Sequence, residues 1–118
     1  MPNNFHQELQ LYIDDFAHLM YRLSRKFPKE ELYGVTSQIR RAALSIALNY
    51  KEGFARNRNL VLINFLEISY GSLQECKYLL DFCFKEKYIN DDDLKNSLIL
   101  ADKIGGMLWG TIKNLKKK

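Results

Sequence analysis

Apolar residues recur at steps of three and four along almost the whole chain, the period of helices with one buried face. Leu9, Tyr12, Ile13, Phe16, Leu19, Met20, Leu23 and Phe27 form the first such stripe. Pro28 predicts its end, because a proline pushes the preceding residue out of the α region, and Asn3 or Asn4 is a candidate cap for its start. Val35, Ile39, Ala42, Ala43, Ile46, Ala47, Tyr50 and Phe54 form the second stripe, with Gly53 placed where a C-terminal cap is useful. Asn57 or Asn59 is a candidate cap for the third. That stripe is Leu62, Leu66, Ser69, Leu73, Cys76, Leu80 and Cys83, alternating four and three as in a bundle seam. Asp91, Asp92 and Asp93 offer a cap and favourable negative charge for the fourth: Leu94, Leu98, Ala101, Gly105, Leu108, Ile112 and Leu115. The predicted helices cover about 4–27, 34–54, 59–87 and 92–115 in one domain, 1–118. Four amphipathic helices with short connectors predict an all-α, antiparallel up-down four-helix bundle.

Three of these helices carry apolar residues off the main stripe. Helix two has Leu44 and Leu48, helix three has Phe65, Ile68, Leu79 and Phe82, and helix four has Ile99, Met107 and Trp109. Scattered surface apolars are common. Two phenylalanines and a tryptophan at helical spacing point instead to a second buried surface, and so to a homo-oligomer. Leu44, Leu48, Phe65, Ile68 and Phe82 are its candidate interface residues.

A polar stripe also runs along helix two, through Gln38, Arg41, Ser45, Asn49 and Glu52 to Arg56. Helix three answers with Asn64, Glu67, Gly71, Glu75 and Tyr78, so that Arg41 or Glu52 can meet Glu75 or Glu67 across a helix or subunit contact. Such a seam has two readings. It is a register-fixing polar network, the commoner use of partly buried polar groups, or it is a ligand groove.

Charge changes the picture more than composition does. The chain has 118 residues, a net charge of +4, 47% hydrophobic and 27% charged residues, ordinary values for a globular domain. Its mass of 13.9 kDa predicts a folded surface of about 6,700 Å². Residues 36–60 hold five basic residues and one acidic, which equals the net charge of the whole chain, +4. Residues 91–118 add six basic against four acidic. Arg40, Lys51, Arg56 and Arg58, with Lys113, Lys116, Lys117 and Lys118, are candidate phosphate contacts. Repetition in an oligomer would multiply that charge.

The chemistry of common enzymes is missing. There is no Walker loop, dinucleotide glycine pattern, nucleophile elbow or zinc-spaced cysteine set. The 2 histidines, His6 and His18, give one Asp-x-x-His spacing, Asp15 to His18, where a di-metal bundle needs two. No metal or cofactor is expected. Gly105, Gly106 and Gly110 fall in a helical pattern and predict close packing. Cys76 and Cys83 are seven apart, too far for a disulfide on one helix, and read as inert core thiols of a reducing compartment. No apolar run approaches a membrane span and no leader pattern opens the chain, so the expected location is the cytoplasm.

Residues 38–53, Gln-Ile-Arg-Arg-Ala-Ala-Leu-Ser-Ile-Ala-Leu-Asn-Tyr-Lys-Glu-Gly, resemble the signature of the four-helix bundle proteins encoded in intervening sequences of bacterial large-subunit ribosomal RNA genes. Residues 27–34, Phe-Pro-Lys-Glu-Glu-Leu-Tyr-Gly, and 65–75, Phe-Leu-Glu-Ile-Ser-Tyr-Gly-Ser-Leu-Gln-Glu, extend the match in order. Ala47 departs from a frequent family proline, and Tyr50-Lys51 from a frequent Ile-Ala pair. The resemblance implies a left-handed bundle that assembles into a ring, a homopentamer. It also implies a more distant tie to the accessory protein of diversity-generating retroelements, a pentameric barrel that binds nucleic acid and a reverse transcriptase. It carries no catalytic residues.

The expected function is therefore a non-enzymatic oligomer that binds RNA or DNA backbone as an accessory factor. The alternative is a protein-binding scaffold whose basic rim docks an acidic partner. A hydrolase or metal enzyme in the polar seam ranks last.

Overall fold

The computed structural model describes the backbone of residues 2–118 and side chains from Asn4 onward. Four helices account for nearly all of it: α1 Pro2–Ser24, α2 Val35–Phe54, α3 Asn59–Lys85 and α4 Asp91–Lys116. A 3-10 turn at Lys29–Glu31 lies between α1 and α2, and no strand occurs among the described residues. Each helix packs on two neighbours, in the cyclic order α1, α2, α3, α4, with α2 against α3 the most extensive contact. Inside the square sit Phe16, Met20, Ile39, Ile46, Leu66, Leu73, Leu80, Ile104 and Leu108, all essentially free of solvent. The long dimension is 46 Å against 25 and 18 Å, as expected for helices of up to 27 residues rising about 1.5 Å per residue. The elongation leaves 7379 Å² exposed, about a tenth above the ~6,700 Å² a compact chain of this mass shows.

Helix ends differ from the sequence reading for local reasons. α1 already includes Asn4, which therefore does not cap it; Asn3 lies outside the described side chains. α1 stops at Ser24, short of Phe27. There the Ser24 hydroxyl donates to the Tyr21 carbonyl (3.0 Å) and accepts from Arg40 Nε (2.8 Å). Phe27 lies past the helix yet stays buried. Gly34 at the start of α2 has no side chain to cap with. Glu31 substitutes, its Oε1 accepting from the Val35 N–H at 3.2 Å. Neither Asn57 nor Asn59 caps α3: the capping position is Arg58, with no side-chain bond.

α3 ends at Lys85. Lys87 turns left-handed (φ 66°), so that Tyr88 N–H reaches the Cys83 carbonyl (2.8 Å) and Lys87 N–H the Phe84 carbonyl (3.0 Å). This closure satisfies two terminal carbonyls and costs about 1 kcal/mol for a non-glycine residue. Asn90, rather than the aspartates alone, caps α4: its Oδ1 accepts from Asp93 N–H (2.7 Å) while Asp93 Oδ2 accepts from Asn90 N–H (3.4 Å). Gly53 is not a cap either. It is buried inside α2, where a Cβ would lie 3.0 Å from Phe65 Cβ and 3.1 Å from Leu62 Cδ1. Its missing side chain sets how closely α2 and α3 approach. Among the described residues no helix is long and apolar enough to cross a membrane.

Candidate nucleic-acid interface

Two contacts define one end of the bundle. His6 Nδ1 lies 3.2 Å from the Tyr50 hydroxyl and the His6 ring stands edge-on to Phe54 at 4.9 Å, so the start of α1 sits beside the end of α2. Lys116 Nζ lies 2.9 Å from Glu67 Oε2, which puts the end of α4 beside the first half of α3. Lys51, Arg56 and Arg58 are thereby gathered with Lys113, Lys116 and Lys117, all exposed. Two basic segments far apart in sequence thus share one end of the bundle.

Within the patch, charge is partly compensated. Arg56 pairs with Glu52 and covers the Phe65 ring, its guanidinium carbon 5.3 Å from the centroid. Lys116 pairs with Glu67. Exposed pairs of this kind are worth about 0–1 kcal/mol, so a phosphate can displace the carboxylate. Among the described residues Lys51, Arg58, Lys113 and Lys117 have no ion-pair partner. Arg40 stands apart. It is half-buried toward the other end, bonded to Ser24 and stacked 4.9 Å over Tyr21, where it ties α2 to α1.

The polar stripe of α2 does meet α3, in separate clusters. Arg41 Nη2 donates to Glu75 Oε2 at 2.5 Å and to Gln38 Oε1 at 3.4 Å. Ser45 and Ser72 share a hydrogen bond of 2.7 Å, and Asn49 Nδ2 donates to the Ser45 carbonyl (2.8 Å) and hydroxyl (3.0 Å). Ser69 donates to the Ile46 carbonyl at 2.8 Å. Glu52 and Glu67 turn instead to Arg56 and Lys116. These bonds satisfy their members locally.

The candidate interface residues lie on two adjacent helices. Leu44 lines a groove against α1 with Ala17, His18 and Tyr21, and Leu48, one turn on, is 64% exposed. On α3, Ile68 (50% exposed) and Phe82 (39%) lie outward. Phe65 is half-buried beneath Arg56 and against Gly53.

A cavity of about 530 Å³ opens at the basic end between the start of α1, the end of α2 and α4. Phe5, His6, Phe54, Met107, Asn114 and Lys118 line it, over a floor at Gly106 and Gly110. No local motif signals this site, because its residues come from three helix ends. Two expectations change here. Phe54 is 40% exposed and not a core residue. Gly106 and Gly110 are not close-packing positions, since a Cβ at either meets nothing within 4 Å. Only Gly105 packs tightly, 3.3 Å from Leu73 Cδ2.

Reactive groups are held in neutral form. Burial pushes the Cys76 thiol up to about 12, with Glu75 adding to the effect and Arg41 opposing it. Burial likewise raises Cys83 to about 12, helped by Glu31 and Glu86. Both are free, buried thiols, with almost no nucleophilic thiolate at neutral pH. No group of three or more His, Cys, Asp or Glu converges among the described residues.

Comparison with known proteins now bears on this arrangement. The family model of the 23S rRNA-intervening sequence protein matches residues 11–110. The chain belongs to this family. The match spans α2, α3, the Gly53 contact and the first basic segment, and stops before the last lysines. A solved structure of a protein with unknown function from the S23 ribosomal protein family of Bacteroides thetaiotaomicron is similar, with a TM-score of 0.83 at 22% identity. It covers 89% of this chain and 98% of its own. At that identity the likeness carries the fold. No curated protein matches the sequence.

Proposed function

We propose that this intervening sequence protein is a non-enzymatic accessory factor that binds the phosphate backbone of RNA or DNA through the basic end of its bundle. The observation that carries this is that Lys51, Arg58, Lys113 and Lys117, exposed and unpaired among the described residues, lie at the same end of the bundle as the weakly paired Arg56 and Lys116. The helices run antiparallel, which is why the end of α2 and the end of α4 share one end. Copies assemble head-to-tail into a closed ring, a homopentamer. The support is that Leu48, Ile68 and Phe82, apolar residues of α2 and α3, stay 64%, 50% and 39% exposed in a single copy. Exposed apolar residues of this size mark an interaction surface, and a heterologous contact that closes by rotation would bury them in every copy. Each closed ring repeats the basic patch in every copy and so multiplies its affinity.

The test is binding of generic RNA and duplex DNA across salt. With about four phosphates neutralised per copy, log affinity should fall against log salt with a slope of about −4. The double reversal Lys51→Glu, Arg58→Glu should flatten that slope and weaken all sequences alike. Absence of retention on both polymers at low salt overturns the reading. Light scattering tests assembly: a mass near 13.9 kDa, that of one chain, refutes the ring.

A further inference from the structure

The basic end is more than a charged surface, because an aromatic-lined cavity opens at it. Backbone binding alone requires cations. It gives no role to exposed Phe5 and Phe54, which are 42% and 40% accessible beside those cations. Both rings are set by aromatic edge contacts. His6 is T-stacked on Phe5 at 5.5 Å and on Phe54 at 4.9 Å, and its Nδ1 is tied to the Tyr50 hydroxyl. The rings are thus held in place within an otherwise wet surface.

The volume, about 530 Å³, falls within the ~300–1,000 Å³ of small-ligand clefts. Asn114 contributes an amide able to donate and accept, and Lys118 a cation, to its lining. The floor is open because Gly106 and Gly110 carry no side chain and nothing else fills that space.

We propose that this cavity seats one unpaired base of a single-stranded nucleic acid, stacked on the Phe5 and Phe54 rings, with Asn114 on its edge and Lys118 on the adjoining phosphate. The inference rests on the proposed backbone binding and adds its substrate class, a flexible strand or loop in place of a closed duplex. Every base has a stackable face, so the site is tolerant of sequence. A base in a closed duplex is stacked on both sides and cannot enter. The other cations of this end would hold the adjoining backbone.

The glycine floor provides the test. Gly110→Leu fills the cavity from a helix position where the added Cβ meets nothing, and leucine is a better helix former than glycine, so the variant keeps its fold. Anisotropy of the full chain is read with a labelled mixed-sequence single-stranded RNA and with its blunt duplex, at one low salt concentration. The native protein should favour the single strand by about tenfold, the scale of base–aromatic stacking. Gly110→Leu should bring that preference close to one, and Phe5→Ala should do the same by removing one ring. Equal affinity for both RNAs, unaltered by Gly110→Leu, overturns the base site and leaves backbone binding standing. No retention of either RNA overturns both. Loss of preference only together with lost helicity by circular dichroism in Gly110→Leu, with Phe5→Ala unaltered, also overturns the site.

Discussion

Gly53 tests the link between close helix approach and the geometry of the basic end. Replacing it by alanine introduces one methyl group into α2, where 3.0 Å separates that carbon from Phe65 Cβ and 3.1 Å from Leu62 Cδ1. Leu62 Cδ1 ends a side chain that can shift, but Phe65 Cβ is fixed to the α3 backbone and the Leu62 carbonyl oxygen lies 3.4 Å away. The helices must separate by a few tenths of an ångström. Overpacking of this kind costs about 1–3 kcal/mol. Alanine in a helix interior returns about 1 kcal/mol relative to glycine. The net expectation is a loss of about 1 kcal/mol for Gly53→Ala. Gly71 supplies the control, because it lies within α3, is exposed, and a Cβ there meets nothing within 4 Å. Gly71→Ala should therefore gain about 1 kcal/mol. At roughly 4 °C of midpoint per kcal/mol for a domain of this size, the two variants should diverge by about 8 °C. The assay is thermal and urea unfolding followed by far-UV circular dichroism at one fixed protein concentration, since assembly makes the midpoint concentration-dependent. If Gly53→Ala matches or exceeds the native protein while Gly71→Ala gains as expected, the α2–α3 spacing is not set by the missing side chain.

Two further expectations follow from individual groups. The Ser97 hydroxyl is fully buried and lacks a hydrogen-bond partner. Ser97→Ala should raise stability by about 1 kcal/mol, and a loss in urea unfolding would refute that accounting. Tyr50, raised from 10.0 to about 12 by burial, and Tyr88, raised to about 12 chiefly by its hydrogen bond to Glu31 and then by burial, keep protons in the folded state that the unfolded chain releases. Cys76 and Cys83 do the same from 9.0 to about 12. The unfolded state binds fewer protons in this window, so stability should hold below about pH 9 and fall as pH rises toward about 12. A urea midpoint that stays flat across that interval would count against the burial, and for Tyr88 the Glu31 hydrogen bond, that raise these groups.

The helical pattern, the four stripes and the core positions were legible in the chain, because a helix buries side chains at its own period. Ile39, Ile46, Leu66, Leu73, Leu80 and Leu108 all lie inside. The polar stripe of α2 was legible for the same reason. Its partners were readable only in part: Arg41 to Glu75 is a pairing that spacing allows, while Ser45 to Ser72 depends on the register between two helices. Helix ends were the least legible. Asn90 and Glu31 hold them through bonds to specific backbone N–H groups, and Lys87 adopts a left-handed conformation more often given to glycine.

The sequence by itself determined which residues are apolar or charged and that they alternate at helical period; periodicity is local, and needs no knowledge of neighbours. Only the tertiary structure decided which ends meet. It put Lys51 and Arg58 at the same end of the bundle as Lys113 and Lys117, and it set Arg40 apart from them on Ser24 and Tyr21. It turned Gly53 from a terminator into a point of contact and left Gly106 and Gly110 open beneath Phe5 and Phe54. These outcomes depend on distances between helices, and packing fixes those distances only once all four helices are in place.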